Sequence, residues 1–442
     1  MSVNTITVQG DSVLQISPPQ YKNFNSGIML PGSHKGISSS LCVDSDLLSK
    51  HILILGGTGC GKTNVFNFFI QQLKNKMTTE DVMLIFDTKG DFFTKFYRTN
   101  DIVIANSRRY AQCALKWNIY KEILVDGWDD DEVYNNTYEI TYSLFKEAIE
   151  KTTQQFFPNA ARDLLTAILI AHIRLGKDDM NFKKKFFNNK VLKQYLDSLT
   201  VDKIRRLLNR NVFPDLSSVL MYLGDGANDQ ALGVLAELQN VSHQIFMGAF
   251  ADDGRFSVRN FVREKGGKTL FIEYDLSIGD TLAPIYRLIF DLGLKEAMGR
   301  NKSSGNVYLL CDEFKLLPNL KHIENGVNFG RGLGVKIIAG LQSIEQLYEV
   351  YGESRGRNIA SGFSTVISFK SNDTVTREFV SDLYGKNIVL EQYKTSSNTL
   401  VEEKREGKTV EDWDLNGLKV GEAIIGLAYE KPFKYKFDLF RG

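Results

Sequence analysis

The stretch Gly56–Asn64, "GGTGCGKTN", decides the fold class of this chain. It follows the apolar run "HILIL" at 51–55 and precedes the helical pattern of 63–75. The spacing Gly56-xxxx-Gly61-Lys62-Thr63 is the P-loop pattern, and a position between a strand and a helix is the context that this motif requires. Backbone N–H groups of such a loop point at phosphate oxygens, so the sequence predicts a nucleotide site.

Within this loop, we expect Lys62 to neutralise the β- and γ-phosphates and Thr63 to bind Mg²⁺. The residues predicted to contact the nucleotide are Gly56, Gly57, Thr58, Gly59, Cys60, Gly61, Lys62, Thr63 and Asn64. For Cys60 two interpretations stay open, a passive small side chain or a thiolate that is favoured by Lys62 and oxidised when nucleotide is absent.

A carboxylate pair, Asp312-Glu313, ends the apolar run "NVYLLC" at 306–311. We expect Asp312 to bind Mg²⁺ through water and Glu313 to deprotonate the attacking water, which favours hydrolysis over a small-molecule kinase. The alternative is a carboxylate pair at an exposed strand end. The stretch "TKGD" at 88–91 resembles a guanine-reading motif, but it stands too early in the chain for a GTPase.

Two further side chains are candidates for the γ-phosphate. Gln342 ends the apolar run 335–341, directly after the Asp-Glu strand, where an amide can contact this group. Arg331 precedes that run. It is either an ordinary surface residue or, in an oligomer, a finger that reaches the neighbouring subunit's γ-phosphate.

The apolar runs predict an α/β fold with three layers and a parallel sheet. Predicted strands are 51–55, 82–86, 102–105, 269–274, 307–311, 335–341 and 364–369, and a last pair lies in "GEAIIGLAY" and "FKYKFDLF". Residues 118–265 show helical periodicity without a convincing strand, which predicts an all-α domain inserted between 1–117 and 266–442. The charged stretch 398–411 is predicted to be a surface loop.

Composition limits the class of protein. The chain has 442 residues, a formal net charge of +1 and four cysteines without zinc spacing. A strongly basic body is therefore excluded, and free thiols in a reducing cytosol are favoured. The chain shows neither a signal peptide nor an apolar run long enough to span a membrane, so we expect a cytoplasmic protein.

The order of the motifs carries a resemblance to a family. "HILILGGTGCGKT", "IFDTKGDF", "WNIY", "FFPNAARDLL", "KTLFIEYDL", "VYLLCDEFKLLP", "GRGLGVKIIAGLQS" and "GEAIIGLAYEKP" together resemble the cytosolic ATPase of type IV coupling proteins, within the HerA–FtsK superfamily of ring motors. The resemblance implies a RecA-like domain with an inserted all-α domain, ATP and Mg²⁺ as cofactors, and a hexameric ring. It implies single-stranded DNA with a relaxase as cargo. It also places Asp87 and Asp91 in a family motif beside the P-loop.

Most members begin with a transmembrane segment, which is not seen here, so we expect a separate membrane partner in the secretion channel, a soluble branch of the family, or a role outside the channel. Two alternatives stay open. One is a HerA-like motor on duplex DNA that works with a nuclease in repair or defence, and the other is a nucleotide-gated adaptor for protein cargo.

A basic stretch of the helical region is a candidate DNA surface. Its cations are Lys183, Lys184, Lys185, Lys190, Lys203, Arg205, Arg206 and Arg210, with Phe182, Phe186 and Phe187 between them. Exposed aromatic rings could stack on bases. The alternative is that the rings pack a helical core and the lysines form a solvated face.

Overall fold

The structure is a computed structural model that describes residues 4–13, 27–208, 211, 213–224, 228–299, 305–394 and 399–442. It forms two compact units. Unit 1 comprises Met1–Phe86, Asp91–Arg98 and Ala297–Gly442, and unit 2 comprises Asp87–Gly90 and Thr99–Glu296.

The strands, in chain order, are β1 (Asn4–Gln9), β2 (Ile28–His34), β3 (Ile37–Val43), β4 (Ile52–Leu55), β5 (Val82–Asp87), β6 (Ile102–Ala105), β7 (Lys268–Glu273), β8 (Val307–Cys311), β9 (Val335–Leu341), β10 (Thr365–Phe369), β11 (Lys386–Lys394), β12 (Leu400–Lys408), β13 (Glu422–Gly426) and β14 (Phe433–Phe437). The α-helices are α1 (Ser45–Ser49), α2 (Lys62–Lys76), α3 (Asp91–Phe96), α4 (Ile119–Ile123), α5 (Asp130–Lys151), α6 (Phe156–Asp178), α7 (Met180–Phe186), α8 (Asn189–Asp197), α9 (Val201–Leu208), α10 (Asp229–Ile245), α11 (Val258–Glu264), α12 (Gly279–Met298), α13 (Ile323–Phe329), α14 (Glu345–Tyr351), α15 (Glu353–Ser361), α16 (Thr374–Leu383) and α17 (Asp412–Asn416).

Unit 1 contains a sheet with the strand order β3–β2–β14–β13–β10–β4–β9–β8–β5. The five strands from β10 to β5 are parallel neighbours, and the remaining pairs are antiparallel. Every residue of β4, β8 and β9 is buried, which explains their continuous apolar sequences. The predicted α/β fold, with parallel strands around the P-loop strand, is confirmed.

The seven predicted strands and the last strand pair are confirmed, with boundaries within one or two residues for the seven. The predicted surface loop at 398–411 is wrong, because β12 pairs with β11 along nine residues. Most side chains of β12 are exposed, so the strand shows no apolar alternation that the sequence could reveal. Arg405 instead holds this hairpin through Glu391 (2.6 Å) and Glu411 (3.0 Å).

The strands before residue 51 were not predicted. Strand β2 contains Pro31 and Gly32, and β3 contains three serines, and these residue types are depleted in strands or neutral. Strand β1 pairs with β11, so its partner lies almost the whole chain away. Strands that pair across such a distance leave no pattern in the local sequence that would predict the pairing.

Unit 2 is mostly helical. Helix α6 buries one face, as its helical periodicity indicates, and this face consists of Ala161, Leu164, Leu165, Ile168, Leu169 and His172. Among the described residues between 118 and 261, helices and turns are found and no strand. The unit also contains β6 and β7, which pair in parallel. The predicted helical domain, 118–265, lies inside this unit, and its boundaries stay a prediction.

Glu122 joins two segments of unit 2 in its core. Its fully buried carboxylate accepts hydrogen bonds from Trp117 Nε1 (3.0 Å), Ser257 Oγ (2.8 Å) and the backbone N–H of Val258 (2.6 Å). Burial raises the pKa of Glu122, although these donors act against the rise. Because Ser257 caps α11, the network fixes the start of that helix against the segment around Trp117.

In the part of the chain that the structure describes, no helix combines the length and the apolar character needed to cross a membrane.

Candidate active site

The loop after β4 needs its glycines for steric reasons. Gly56 has a φ of +147° and Gly61 a φ of +123°, which L side chains rarely adopt. A Cβ on Gly56 would lie 2.6 Å from Phe369 Cβ and 2.9 Å from Cys60 Sγ. The loop therefore passes close to β10 and leads into α2, which begins at Lys62.

Backbone hydrogen bonds from three neighbouring segments hold this loop in shape. The N–H of Gly56 donates to Leu341 O (3.2 Å), and the N–H of Gly57 donates to Lys370 O (3.0 Å). Cys60 O accepts from the N–H of Gly421 (2.9 Å). The loop is thus fixed from the ends of β9 and β10 and from the start of β13.

Lys62 lies over its own loop. Its side chain is only 8% exposed, and Nζ donates to the carbonyls of Gly56 (2.5 Å) and Gly57 (3.2 Å). An ammonium group at a helix N-terminus, above a loop that only glycine can form, suits a phosphate group.

Thr63 and Asp312 bring two oxygen ligands together beside the loop. Thr63 Oγ1 donates to Asp312 Oδ2 over 2.7 Å, and Asp312 follows β8 directly. A hydroxyl and a carboxylate are the hard oxygen ligands that Mg²⁺ takes together with phosphate oxygens. The pair therefore fits the predicted metal position.

Gln342 bridges the P-loop and Glu313. Its Nε2 donates to Glu313 Oε2 over 2.9 Å, and its Oε1 accepts from Thr58 Oγ1 over 3.3 Å. Its backbone N–H donates to Gln346 Oε1 over 3.2 Å. No local sequence pattern indicates Gln346, which lies in the first turns of α14 and fixes the backbone at Gln342.

The segment after β9 has a second anchor that the sequence did not indicate. Ser343 Oγ donates to Asp373 Oδ2 over 2.6 Å, and Asp373 also caps α16 through the N–H of Thr376. Burial alone would raise the pKa of Asp373, but the hydrogen bonds from Ser343 and Thr376 lower it below its ordinary value. An ionised Asp373 thus holds the residue beside Gln342.

Asn64 turns away from the loop. Its Nδ2 donates to Asp438 O (2.8 Å), and its Oδ1 accepts from the N–H of Phe440 (2.7 Å). Both ends of the amide are therefore engaged with the segment after β14. The predicted contact of Asn64 with nucleotide stays a prediction.

Arg331 lies apart from the other candidates. It precedes β9, whereas Gln342 follows it, so about 20 Å of strand separates the two positions. Its guanidinium is half exposed and pairs with Asp46 over 2.9 Å. The structure therefore gathers Lys62, Thr63, Asp312, Glu313 and Gln342 at one edge of the sheet, and Arg331 lies at the other.

Cys60 corrects one interpretation. Burial raises the pKa of its thiol, and this effect exceeds the lowering by Lys62. The side chain is 7% exposed. Of the two interpretations, the structure therefore supports the passive one, in which Cys60 is a small buried side chain that packs under the loop.

The motif at 87–91 divides between the two units. In unit 2, Asp87 is buried, and its Oδ1 accepts from the N–H groups of Lys89 (3.1 Å) and Gly90 (3.0 Å). In unit 1, Asp91 is exposed and begins α3. Asp87 thus shapes its own turn.

The rings of the predicted basic stretch are half-buried and pack against the helical core. Phe187 stacks on Tyr120 with centroids 4.7 Å apart, and Phe182 and Phe186 contact His172. Lys183 lies over Trp128, and Lys203 donates to Ser198 O. Arg210 lies outside the described residues. The packing alternative is therefore the better account of the three phenylalanines.

Two curated proteins with similar sequences are coupling proteins. The coupling protein TraD of Escherichia coli (strain K12) is 24% identical over 383 residues, which are 83% of this chain and 48% of TraD. The coupling protein VirD4 of Bartonella quintana (strain Toulouse) is 22% identical over 245 residues, which are 54% of this chain and 38% of VirD4. The chain spans about half the length of these relatives or less.

Solved structures agree on the fold. The plasmid coupling protein TrwB, in complex with the non-hydrolysable ATP analogue ADPNP, aligns with a TM-score of 0.72 at 19% identity. The alignment covers 100% of this chain and 96% of the TrwB chain. The family model for the DNA-binding domain of type IV secretion-system coupling proteins matches residues 37–412. Because this match covers most of the chain, the chain belongs to the family of type IV secretion-system coupling proteins.

Proposed function

We propose that this chain is an ATP-hydrolysing motor that moves DNA in conjugation or type IV secretion. One observation carries the proposal. The hydrogen-bonded pairs Thr63–Asp312 and Gln342–Glu313 converge on the P-loop from two neighbouring parallel strands. A metal-binding pair beside a base-and-amide pair is the set that nucleotide hydrolysis requires.

ATP and Mg²⁺ are the proposed cofactors. TrwB has been solved with ADP and Mg²⁺, with an ATP analogue and with a GTP analogue. For this chain, the proposal of ATP and Mg²⁺ is supported by the loop amides, Lys62 and the Thr63–Asp312 pair. These groups suit phosphates and a metal ion rather than the base. The preference for adenine is part of the proposal.

Each side chain has a proposed role. Bound Mg²⁺–ATP would supply the phosphoanhydride bond and the cation that activates it. Lys62 neutralises phosphate charge, while Thr63 and Asp312 hold the cation. Glu313 accepts a proton at a carboxylate oxygen as general base.

Gln342 is the proposed link between nucleotide state and base. Its amide holds Glu313 and Thr58 at the same time. A phosphate oxygen placed near the P-loop would compete for the amide N–H groups. Glu313 would then lose a donor and become a better proton acceptor. Hydrolysis would restore the arrangement described above.

The partners are also part of the proposal. We infer DNA, single-stranded and delivered with a relaxase, as the cargo, and a hexameric ring as the working form. In such a ring, Arg331 would reach the active site of a neighbouring subunit. A separate membrane partner would recruit the chain from the cytoplasm to the secretion channel.

The test is ATP hydrolysis by the purified full chain, with and without single-stranded oligonucleotide, at low salt. We expect stimulation by the oligonucleotide. Loss of the general base in Glu313→Gln should lower turnover by about 10²–10⁴. We expect Lys62→Ala to remove most turnover, because phosphate charge is no longer neutralised.

Two exposed residues of unit 1 provide matched controls. Lys436→Ala and Glu403→Gln make the same changes away from the loop and should leave turnover unchanged. Stimulation by duplex DNA alone would favour the duplex motor. Turnover absent under all conditions would favour the adaptor, and equal turnover with and without DNA would contradict the proposed motor.

A further inference from the structure

A basic cavity of about 260 Å³ lies in unit 2, apart from the nucleotide loop. It opens near Ile102 and Lys268, which begin the parallel strands β6 and β7. Its cationic lining residues are Lys116, Lys121, Arg255, Lys265 and Lys268. Glu264 is the carboxylate among the described lining residues.

The backbone that carries these cations is rigid. The N–H groups of Arg255 and Phe256 both donate to Lys116 O over 3.0 Å, and the N–H of Asn118 donates to Phe256 O over 3.0 Å. A Cβ on Gly254 would lie 2.3 Å from Lys116 O, so only glycine permits this approach. The buried hydrogen-bond network of Glu122 joins the same two segments through Trp117 and Ser257. Lys116 and Arg255 are therefore held side by side.

Most of this positive charge is not neutralised locally. Lys116 pairs with Asp252 over 2.8 Å, but both side chains are about half exposed, so the pair is weak. In the described part of the chain, Lys121, Arg255 and Lys268 form no ion pair, and all three are exposed. On a chain of net charge +1, such a concentration of unpaired cations marks a surface for a polyanion.

The apolar residues that line the cavity indicate that it does not recognise bases by stacking. Phe256 and Phe261 are 6% and 4% exposed, so neither ring offers a free face for stacking. The groups that a ligand would meet are ammonium and guanidinium heads. Such groups contact phosphates, which position a nucleic acid without selecting its sequence.

We propose that this basic cavity binds the phosphate backbone of the DNA strand that the motor handles. The inference rests on the proposed function. It is supported by charge and by the family model for a DNA-binding domain, whose match includes every residue of the cavity. The basic stretch at 183–210 is a weaker candidate, because several of its cations already contact aromatic rings or backbone carbonyls.

The test compares two triple variants of the full chain. One carries Lys121→Gln, Arg255→Gln and Lys268→Gln. The matched control carries Lys184→Gln, Lys185→Gln and Lys190→Gln, which remove the same charge from exposed positions of the same unit. Binding of fluorescent oligothymidylate is measured against salt concentration, with a mixed-sequence strand and a duplex as further arms.

For the cavity variant, we expect affinity at low salt to fall about tenfold or more for every sequence, because backbone contacts are lost. The slope of log K against log salt should flatten by about 2, or about 0.7 for each lost contact with a single strand. The control variant should keep the wild-type slope. A charge-retaining variant, Lys121→Arg with Arg255→Lys and Lys268→Arg, should bind as the wild type does, and circular dichroism checks that each variant is folded.

Four results would overturn the inference. The first is an unchanged salt slope in the cavity variant, and the second is an equal loss of DNA affinity in the control variant. The third is loss of DNA binding in the charge-retaining variant. The fourth is a cavity variant that loses binding to phosphatidylglycerol vesicles while its DNA binding persists. The proposed function fails separately, if the wild-type chain binds no DNA at low salt and its ATP hydrolysis does not respond to DNA. ATP hydrolysis without DNA should be the same in the wild type and in all three variants.

Discussion

At the scale of single residues, Glu273 is an unusual acid. It ends β7 in unit 2, is 4% exposed, and its Oε1 has no hydrogen-bond partner among the described residues. Burial, together with the nearby charge of Asp87, raises its pKa to about 8, while Tyr110 and Arg109 partly offset the rise. The folded chain therefore keeps a proton on Glu273 at pH values where the unfolded chain has lost it.

This difference predicts how stability depends on pH. Between about pH 4.5 and pH 8 the folded state binds more protons than the unfolded state, so stability falls as pH rises. Glu273→Gln cannot ionise and should remove this decline. Above about pH 8 the variant should be more stable than the wild type by up to about 4 kcal/mol.

Urea unfolding at a series of pH values measures this effect. Glu264→Gln, at an exposed position, is the matched control and should follow the wild-type profile. If the stability of Glu273→Gln ran parallel to that of the wild type across the whole range, the raised pKa would be contradicted.

The candidate active-site residues illustrate what the sequence can predict at this scale. Lys62 and Thr63 belong to the P-loop pattern, while Asp312, Glu313 and Gln342 follow apolar runs. All five lie together because parallel neighbours end at the same edge of the sheet. The contacts of Asn64, in contrast, join positions 374 and 376 residues apart. No local pattern could indicate them, and the pKa of Cys60 likewise depends on what packs around it.

At the scale of elements, Asn64 ties the first turn of α2 to the segment after β14. If this tether is structural, Asn64→Ala should leave a carbonyl and an N–H without partners. The free energy of unfolding should then fall by about 1–2 kcal/mol, while the KM for ATP changes little.

Denaturant unfolding and steady-state kinetics together test this assignment. Asn416→Ala, at an exposed position in the last turn of α17, is the matched control. A large rise in KM with unchanged stability would instead support the predicted contact of Asn64 with nucleotide.

Elements were predictable where burial shaped their sequence. Strands β8 and β9 are buried throughout and appeared as continuous apolar runs. Strand β12 is held by charged and polar side chains along the hairpin, so its composition is that of a loop. A strand that is not buried carries no hydrophobic pattern, and only its pairing reveals it.

At the scale of the whole molecule, the proposed ring assigns Arg331 to the nucleotide site of a neighbouring subunit. It lies at the edge of the sheet opposite its own P-loop, so the proposed role places it at the nucleotide of another copy. We expect Arg331→Ala to bind ATP but to lose about 10³–10⁵ in turnover. Mixing it with Lys62→Ala subunits should restore part of the activity, because some sites then combine an intact loop with an intact arginine.

The variant Asp46→Ala breaks the local ion pair but keeps Arg331, so it distinguishes the loss of this pair from the loss of the arginine's proposed role in a neighbouring site. The pair is exposed and stabilises the fold by at most about 1 kcal/mol, so this variant should keep its turnover. Failure to regain activity at any mixing ratio would contradict the role of Arg331 in a neighbouring site.

The pairing of β2 with β14 also has a consequence for biosynthesis. Tyr435 Oη lies 2.9 Å from the carbonyl oxygens of both Leu30 and Ser39, so its single hydroxyl proton is shared between them, and the contact with Leu30 spans 405 positions. The parallel partners of β4 and the parallel partner β8 of β5 likewise follow residue 297. A ribosome adds about 5–20 residues per second, so these early strands wait roughly ten seconds or more for their partners. Unit 2 is nearly continuous in the chain, so it can fold first, while the nucleotide loop takes shape only near the end of synthesis.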